Sequence, residues 1–158
     1  MFNEGNKKVF MTEVKIEIKF SSIAGAIVPE YQSAGSSGAD ICANVDEPVI
    51  LSPGKTKLIP TGIFMEIPEG YECQIRPRSG LALKHGIAVL NSPGTIDSDY
   101  RGEIKIILTN LGEEDFKIEK GMRIAQMVFA RVFKAEFIQV DKLSATDRNE
   151  GGFGHSGI

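Results

Sequence analysis

The chain has 158 residues, a net charge of -3 and an ordinary composition, with 42% hydrophobic and 25% charged residues. This length suits one domain with a hydrophobic core, and the acidic balance argues against a broad nucleic-acid surface. No apolar run approaches the roughly 18 residues that a membrane-spanning helix needs. Residues 1–9 lack the apolar stretch of a secretory signal, so we expect a cytoplasmic protein that contacts neither nucleic acid nor membrane.

Residues 1–12 are expected to form a flexible leader. Val14, Ile16, Ile18 and Phe20 then alternate with charged residues, and this period of two predicts a half-buried strand. Short apolar runs recur between turns rich in Gly and Pro. They are residues 40–43, 49–51, 56–59, 63–67, 71–76, 87–90, 103–110 and 116–118. The apolar stretch 123–140 is predicted to contain two further strands.

The spacing of these runs predicts an all-β domain over residues 13–143, built as a small jelly roll or β-barrel. Only residues 79–85 are predicted to be helical, with Ser79 as the N-cap and Gly86 as the stop. Residues 144–158 break the pattern, because their glycines surround a single Phe153 and cannot form a core. Their composition alone predicts a mobile tail.

The two cysteines, Cys42 and Cys73, both lie in strand-like apolar runs. With only two histidines in the chain they form no zinc-ligand pattern. We predict that both are reduced residues of the core. A disulfide between them stays open, because separation in sequence does not report distance in space.

The segment 91–104 carries the densest polar chemistry and reads NSPGTIDSDYRGEI. Apolar strands flank it, so we predict a β-hairpin whose tip presents polar groups. Asp97 and Asp99 would occupy the first and third positions of a calcium loop. Arg101 at the fifth position and Leu108 at the twelfth do not fit, and no flanking helices are predicted, so calcium is rejected.

Two further segments, residues 76–81 and 121–127, indicate no function when each is considered alone. Residues 76–81 end a strand and open the predicted helix, where backbone N–H groups beside an arginine form an anion site. An ordinary capped helix with solvated arginines fits that fragment equally well. In residues 121–127, Arg123 and Gln126 lie on a predicted strand and face opposite sides unless a bulge intervenes.

Taken in order, five segments resemble the motifs of the trimeric dUTPases. They are 34–40 (AGSSGAD), 77–82 (PRSGLA), 94–102 (GTIDSDYRG), 123–126 (RIAQ) and 148–157 (RNEGGFGHSG). Each motif is weak alone, but five in the right order are specific, and the resemblance runs from about residue 14 to the end. In the last motif Asn149 replaces the usual glycine and His155 the usual serine, which bears on contacts to the γ-phosphate.

The resemblance implies a homotrimer that hydrolyses dUTP to dUMP and pyrophosphate with Mg2+, limiting uracil in DNA and supplying dUMP for dTMP synthesis. Each active site would draw on three subunits, with residues 144–158 closing over a neighbour's site. Asp97 is implied to be the general base that activates the attacking water, with Asp99 as the rival. Asp40 is implied to hold the metal through its water shell.

The resemblance also assigns the contacts to the nucleotide. The nucleoside would be read by Asn91, Gly94, Thr95, Ile96 and Lys105, with Tyr100 excluding ribose and Phe153 stacking on the uracil. The phosphates would be held by Arg78, Ser79, Gly80 and Gln126, and at the γ end by Arg148, Gly154, His155 and Ser156. Arg101 and Arg123 are expected to make structural contacts.

Two alternatives remain. A dCTP deaminase shares this fold, but the polar hairpin and the Gly-Phe-Gly tail fit a pyrophosphatase better. A nucleotide-gated regulator that binds a protein partner is the other alternative, and because every catalytic position is kept, such a regulator would also be an active enzyme.

Overall fold

The computed structural model describes residues 15–151, which form twelve strands and one short helix. The strands are β1 (Lys19–Ser22), β2 (Glu30–Tyr31), β3 (Ala39–Cys42), β4 (Val49–Leu51), β5 (Thr56–Pro60), β6 (Ile63–Glu66), β7 (Tyr71–Arg76), β8 (Ile87–Val89), β9 (Gly94–Ile96), β10 (Lys105–Asn110), β11 (Phe116–Ile118) and β12 (Arg123–Arg131). The helix α1 spans Ser79–His85, between β7 and β8. No helix within this range has the length and apolar character needed to cross a membrane.

The strands pair antiparallel throughout the described range and form four sheets, which confirms the all-β prediction. The largest sheet has the order β2-β3-β12-β7-β9, and a second has the order β5-β10-β8. β1 pairs with β6, and β11 with β4. Both larger sheets contribute to one core, through Ile41 and Met127 of the first and Ile59 and Leu108 of the second. Each such fully buried side chain stabilises the fold by roughly 1.5–3 kcal/mol.

Each of the eight predicted apolar runs overlaps an observed strand, whereas the short strands β2 and β9 were not predicted. The prediction of two strands in 123–140 is wrong, because β12 ends at Arg131 and no strand follows in the described range. Phe133 and Phe137 beyond it are 90% and 95% exposed, so residues 15–151 of one chain offer them no surface to pack on. The first strand of the described range begins later than expected, at Lys19, and the predicted leader, residues 1–12, lies outside the described residues.

The helix prediction is right in its bounds, Ser79–His85, but wrong about the N-cap residue. Arg78, not Ser79, is the N-cap, and no side chain caps the helix. Gly86 ends it in the left-handed conformation, with φ of 65°, which glycine adopts without steric cost. The first turn therefore keeps N–H groups that no side chain of the cap satisfies.

The segment 91–104 forms a more complex connection than the predicted β-hairpin. β8 and β10 do pair antiparallel, as the hairpin prediction requires. Between them, however, the chain crosses to the largest sheet, where β9 pairs with β7 and becomes an edge strand. The polar residues that follow β9 therefore lie where two sheets meet.

A β-bulge in β12 changes which side chains share a face. Arg123 pairs with Cys42 while Ala125 pairs with Ile41, so one extra residue stands in β12 between them. The sequence predicted that Arg123 and Gln126 would face the same side only if a bulge lay between them, and the structure contains that bulge. Gln126 pairs directly with Asp40, and both polar side chains thus lie beside that carboxylate.

Both cysteines are free and buried, as predicted, and no disulfide joins them. Burial raises the pKa of the Cys73 thiol to about 12, with a smaller contribution from the neighbouring Glu72 carboxylate. Burial also raises the pKa of Cys42, and the Asp40 carboxylate adds to this effect. Both thiols are therefore protonated at neutral pH, and neither is suited to act as a nucleophile.

Native protein should resist thiol labelling at pH 8. With a pKa of about 12, Cys73 is a thiolate in roughly one molecule in 10⁴ at that pH, and its side chain is closed to solvent. Incubation with a chromogenic disulfide reagent should release almost no thiolate chromophore until guanidinium chloride is added, when two equivalents should react. Rapid labelling of the folded protein would contradict the burial of both side chains.

Candidate active site

Residues of three predicted motifs gather around a cavity of about 310 Å³, which we call the arginine pocket. It is lined by Gln32, Ser36, Ser37, Gly38, Asp40, Arg78, Ser79, Gly80 and Gln126. β3 supplies Asp40, the start of α1 supplies Arg78 to Gly80, and β12 supplies Gln126. All four residues that were predicted to hold the body of the phosphate chain therefore lie in one pocket, although up to 48 positions separate them in sequence.

Asp40 organises the charge of this pocket. Its Oδ1 pairs with Nε of Arg78 and its Oδ2 with Nη1 of Arg123, both at 3.1 Å, while its side chain is only 11% exposed. Arg78 also donates from Nη1 to the carbonyl oxygen of Arg123. Two guanidinium groups against one carboxylate leave a local charge of +1 in an acidic protein. The arrangement fixes both cations and presents net positive charge to the cavity.

Gln126 is held against the start of the helix segment. Its Nε2 donates to the carbonyl oxygen of Pro77 at 2.9 Å. A side chain at Gly38 would collide with Oε1 of Gln126, so the glycine allows the 34–40 loop to approach this amide closely. The carboxamide oxygen and the loop therefore meet at the wall of the arginine pocket.

A second cavity, of about 370 Å³, lies at the polar end of the 91–104 connection, and we call it the tyrosine pocket. It is lined by Leu58, Thr95, Ile96, Asp97, Tyr100, Glu103, Lys105 and Ile107. Asp97 also borders a separate cavity of about 720 Å³ whose walls include Glu66, Glu69 and Glu72. Asp97 thus lines both the tyrosine pocket, whose walls include apolar side chains and Lys105, and a neighbouring cavity that is rich in carboxylates.

Tyr100 is folded back over its own loop. Its hydroxyl donates to the carbonyl oxygen of Glu103 at 3.0 Å, and a side chain at Gly102 would collide with its ring. Arg101 donates from Nη1 to the carbonyl oxygens of Ser98 and Tyr100, which closes the turn. The ring is therefore fixed as one wall of the pocket. Arg101 bonds to its own chain, as the structural interpretation expects.

Several predicted residues are not brought to either pocket. Asn91 and Gly94 pack against each other and line neither cavity. Arg148 donates from Nε to the carbonyl oxygen of Gly151. Phe153, Gly154, His155 and Ser156 lie outside the described residues.

Sequence reasoning missed other lining residues. Leu58 and Ile107 pair across β5 and β10, and their place on the outer face of that sheet could have been read from alternation with the buried Ile59 and Ile106. Glu103 belongs to the segment that was singled out, yet it received no role. No local sequence pattern indicated that Gln32 lines the arginine pocket, because it is held there by a hydrogen bond from Arg123, 91 positions away.

The described residues contain no cluster of three or more His, Cys, Asp and Glu side chains that could cage a metal ion. Both oxygens of Asp40 are already paired with arginines. This donor set does not fit a metal held directly by protein. It fits Mg2+, which keeps several waters and is usually bound through one or two carboxylates and the phosphates of a substrate.

Comparison with known proteins identifies the family. The sequence profile of the dUTPase family matches residues 24–157. The deoxyuridine 5'-triphosphate nucleotidohydrolase of Chlamydia pneumoniae is 61% identical over 135 residues, covering 85% of this chain and 93% of that protein. The enzyme of the same name from Treponema denticola is 60% identical over 134 residues, with the same coverage.

Solved structures agree with the sequence relatives. The dUTPase of Staphylococcus bacteriophage 80alpha with dUPNHPP superimposes with a TM-score of 0.83 at 28% identity, covering 91% of this chain and all of that one. A mutant dUTPase from phage phi11 of S. aureus, described with a structural Mg(II) ion, has a TM-score of 0.73 at 23% identity and covers 80% and 98%. The fold is the jelly-roll-like β fold of these proteins. The chain belongs to the dUTPase family and is a dUTP diphosphatase, which hydrolyses dUTP.

Proposed function

We propose that the tyrosine pocket receives the deoxyuridine and the arginine pocket the phosphate chain of dUTP, in sites completed by neighbouring subunits of a cytoplasmic homotrimer. One observation carries this proposal. Residues of separate motifs gather in two pockets whose chemistry is complementary to the two halves of the nucleotide. The tyrosine pocket combines apolar and hydrogen-bonding walls, whereas the arginine pocket concentrates cationic groups around Asp40.

The edge position of β9 supports the recognition of uracil. Among the described residues β9 pairs only with β7, so N–H and C=O groups along its other side have no partner strand there. Thr95 and Ile96 would offer these groups to the base, which has its own donors and acceptors. A base with a different pattern would leave buried groups unpaired, and this costs more than a steric misfit.

The fixed ring of Tyr100 supports the exclusion of ribose. Its hydroxyl donates to the carbonyl oxygen of Glu103, and the hydroxyl end of the ring lies close to Gly102, so these contacts hold the ring in place. The deoxyribose would lie against this ring, and a 2′-hydroxyl would collide with it. Asn91 lies close to Gly94 at the start of β9, and both would contribute to reading the nucleoside, as the motif resemblance implies.

The phosphates would be bound by oriented donors. Arg78 is held by Asp40 with guanidinium N–H groups available to phosphate oxygens, and the first-turn N–H groups of Ser79 and Gly80 favour negative charge. Gln126 would lie near the α-phosphate. Arg148, Gly154, His155 and Ser156 of a neighbouring subunit would cover the γ end.

Asp97 would act as the general base. Its carboxylate would accept a proton from a water molecule, whose oxygen attacks the α-phosphorus while pyrophosphate leaves. Bound Mg2+ would neutralise charge that develops on the phosphate oxygens. Asp40 would steady the water shell of that ion while keeping its two arginine partners.

The exposed stretch after β12 supports a shared site. Phe133, Phe137, Ile138 and Leu143 are 75–95% exposed in the single chain. Monomeric proteins rarely expose so many large apolar side chains together, so we infer that this stretch packs on a second subunit. Residues 144–158 would then start from a neighbour's surface, and Phe153 would stack on the uracil bound there.

Pyrophosphate release tests the proposal. With Mg2+ and equal protein, dUTP should be hydrolysed fast, and UTP, dTTP and dCTP at most slowly, because the pocket filters sugar and base separately. Removal of Mg2+ by EDTA should abolish release. Ammonia from dCTP would instead establish a deaminase, and equal rates with UTP would remove the role of Tyr100.

Asp97→Asn should reduce kcat by about 100-fold or more, because an amide cannot accept the proton from water. The dissociation constant of a non-hydrolysable dUTP analogue should change little. Asp99→Asn is the matched control, since Asp99 lies two residues on and does not line the tyrosine pocket. If only Asp99→Asn lost activity, Asp99 and not Asp97 would be the general base.

A chain without residues 148–158 should lose nearly all activity yet assemble normally. The removed segment carries predicted contacts to the uracil and the γ-phosphate, whereas the exposed apolar stretch 133–143 stays in place. Analytical ultracentrifugation should show a trimer for both chains. A truncated protein that dissociates would show that the tail serves assembly.

A further inference from the structure

Glu103 connects the wall of the tyrosine pocket to the turn between β5 and β6. Its Oε1 accepts a hydrogen bond from the N–H of Gly62 at 2.9 Å. Its Oε2 pairs with Nζ of Lys105 at 3.3 Å. The side chain is 17% exposed and lines the pocket. One carboxylate thus bridges a backbone turn and a cation.

The turn that Glu103 contacts is itself firmly held. Gly62 lies between β5 and β6 with φ of 70°, a conformation that glycine accepts readily. Thr61, fully buried beside it, donates from Oγ1 to the carbonyl oxygen of Ile104. Ile104 in turn donates its N–H to the carbonyl oxygen of Ile63. The carboxylate is therefore anchored to a rigid part of the scaffold.

Lys105 by contrast has no such support of its own. It is the first residue of β10, and its side chain is 44% exposed. A free lysine side chain loses substantial rotamer entropy when it is ordered, so a partner that orders it before the ligand arrives improves binding. Glu103 supplies that partner, because it fixes the ammonium at the pocket wall.

We propose that Glu103 is a positioning residue for base selection: it holds the Lys105 ammonium where a uracil carbonyl can accept its hydrogen bond. A fixed ammonium has only donors, so it meets the amino group of cytosine as a second donor and leaves both unsatisfied. This inference rests on the proposed placement of the nucleoside in the tyrosine pocket. It adds a residue to which the motif resemblance gave no role.

Glu103→Gln separates the two contacts of the carboxylate. Its amide oxygen can still accept from the Gly62 N–H, but its amino group cannot accept from Lys105. We expect KM for dUTP to rise about fivefold to tenfold with kcat nearly unchanged, and the preference for dUTP over dCTP to fall by a similar factor. Lys105→Met should give the same changes, and the double variant should be no worse than either single one.

A second ion pair provides the matched control. Lys117 and Glu119 also lie two residues apart at 2.6 Å, but both are 55% exposed and line neither pocket. E119Q and K117M should leave KM and base preference unchanged. Thermal unfolding of all variants separates kinetic effects from loss of fold. If E103Q does not fold, E103D carries the test, because its shorter side chain cannot reach both partners and should reproduce K105M.

The outcomes distinguish this inference from the function on which it rests. Wild-type kinetics in folded E103Q beside a raised KM in K105M would overturn the role of Glu103 and leave the nucleoside pocket in place. Strictly additive effects of the two substitutions would also overturn it. Wild-type kinetics in K105M, together with an unchanged preference for dUTP over UTP in folded Tyr100→Ala, which removes the ring, would contradict the placement of the nucleoside itself.

Discussion

The ion pairs of Asp40 with Arg78 and Arg123 are the constraint on which the phosphate half of the site depends. An acidic chain must gather cations locally to bind a triphosphate, and two guanidinium groups around one largely buried carboxylate achieve this. The pairing in turn requires the bulge in β12, since regular alternation would turn Arg123 away from the face of Gln126. Removing the carboxylate would leave two neighbouring cations that repel each other.

The nucleoside half depends on a different device, the crossing of one connection between two sheets. β8 and β10 pair at the two ends of this connection, while β9 is hydrogen-bonded to β7 in the largest sheet. The chain that leaves β9 carries Asp97 and Tyr100 to the seam between the sheets. One short segment therefore carries three features of the nucleoside site: the open edge of β9, the aromatic ring of Tyr100 and the carboxylate of Asp97.

Much of the fold followed from local pattern, because alternation and turn residues report which face of a strand is buried. Prediction from local pattern failed where contacts between distant parts of the chain determine the structure. Phe133 and Phe137 lie in a stretch with the composition of a strand, but they have no partner surface among the described residues. The N-cap is Arg78 and not Ser79, because the backbone of Arg78 is extended and the helix begins after it. Glu103 was overlooked because its partner Gly62 is 41 positions away, a pairing that no local spacing reveals.

The central claim is that one subunit supplies the tyrosine pocket with Asp97 while another supplies the tail. Mixing tests it most directly: Asp97→Asn chains and chains lacking residues 148–158, each nearly inactive, are unfolded and refolded together in equal amounts. If the tail acts on a neighbouring subunit, random trimers should regain about a quarter of wild-type pyrophosphate release, since half the sites keep Asp97 and half of those receive a tail. Activity no higher than the sum of the separate proteins would contradict the shared site.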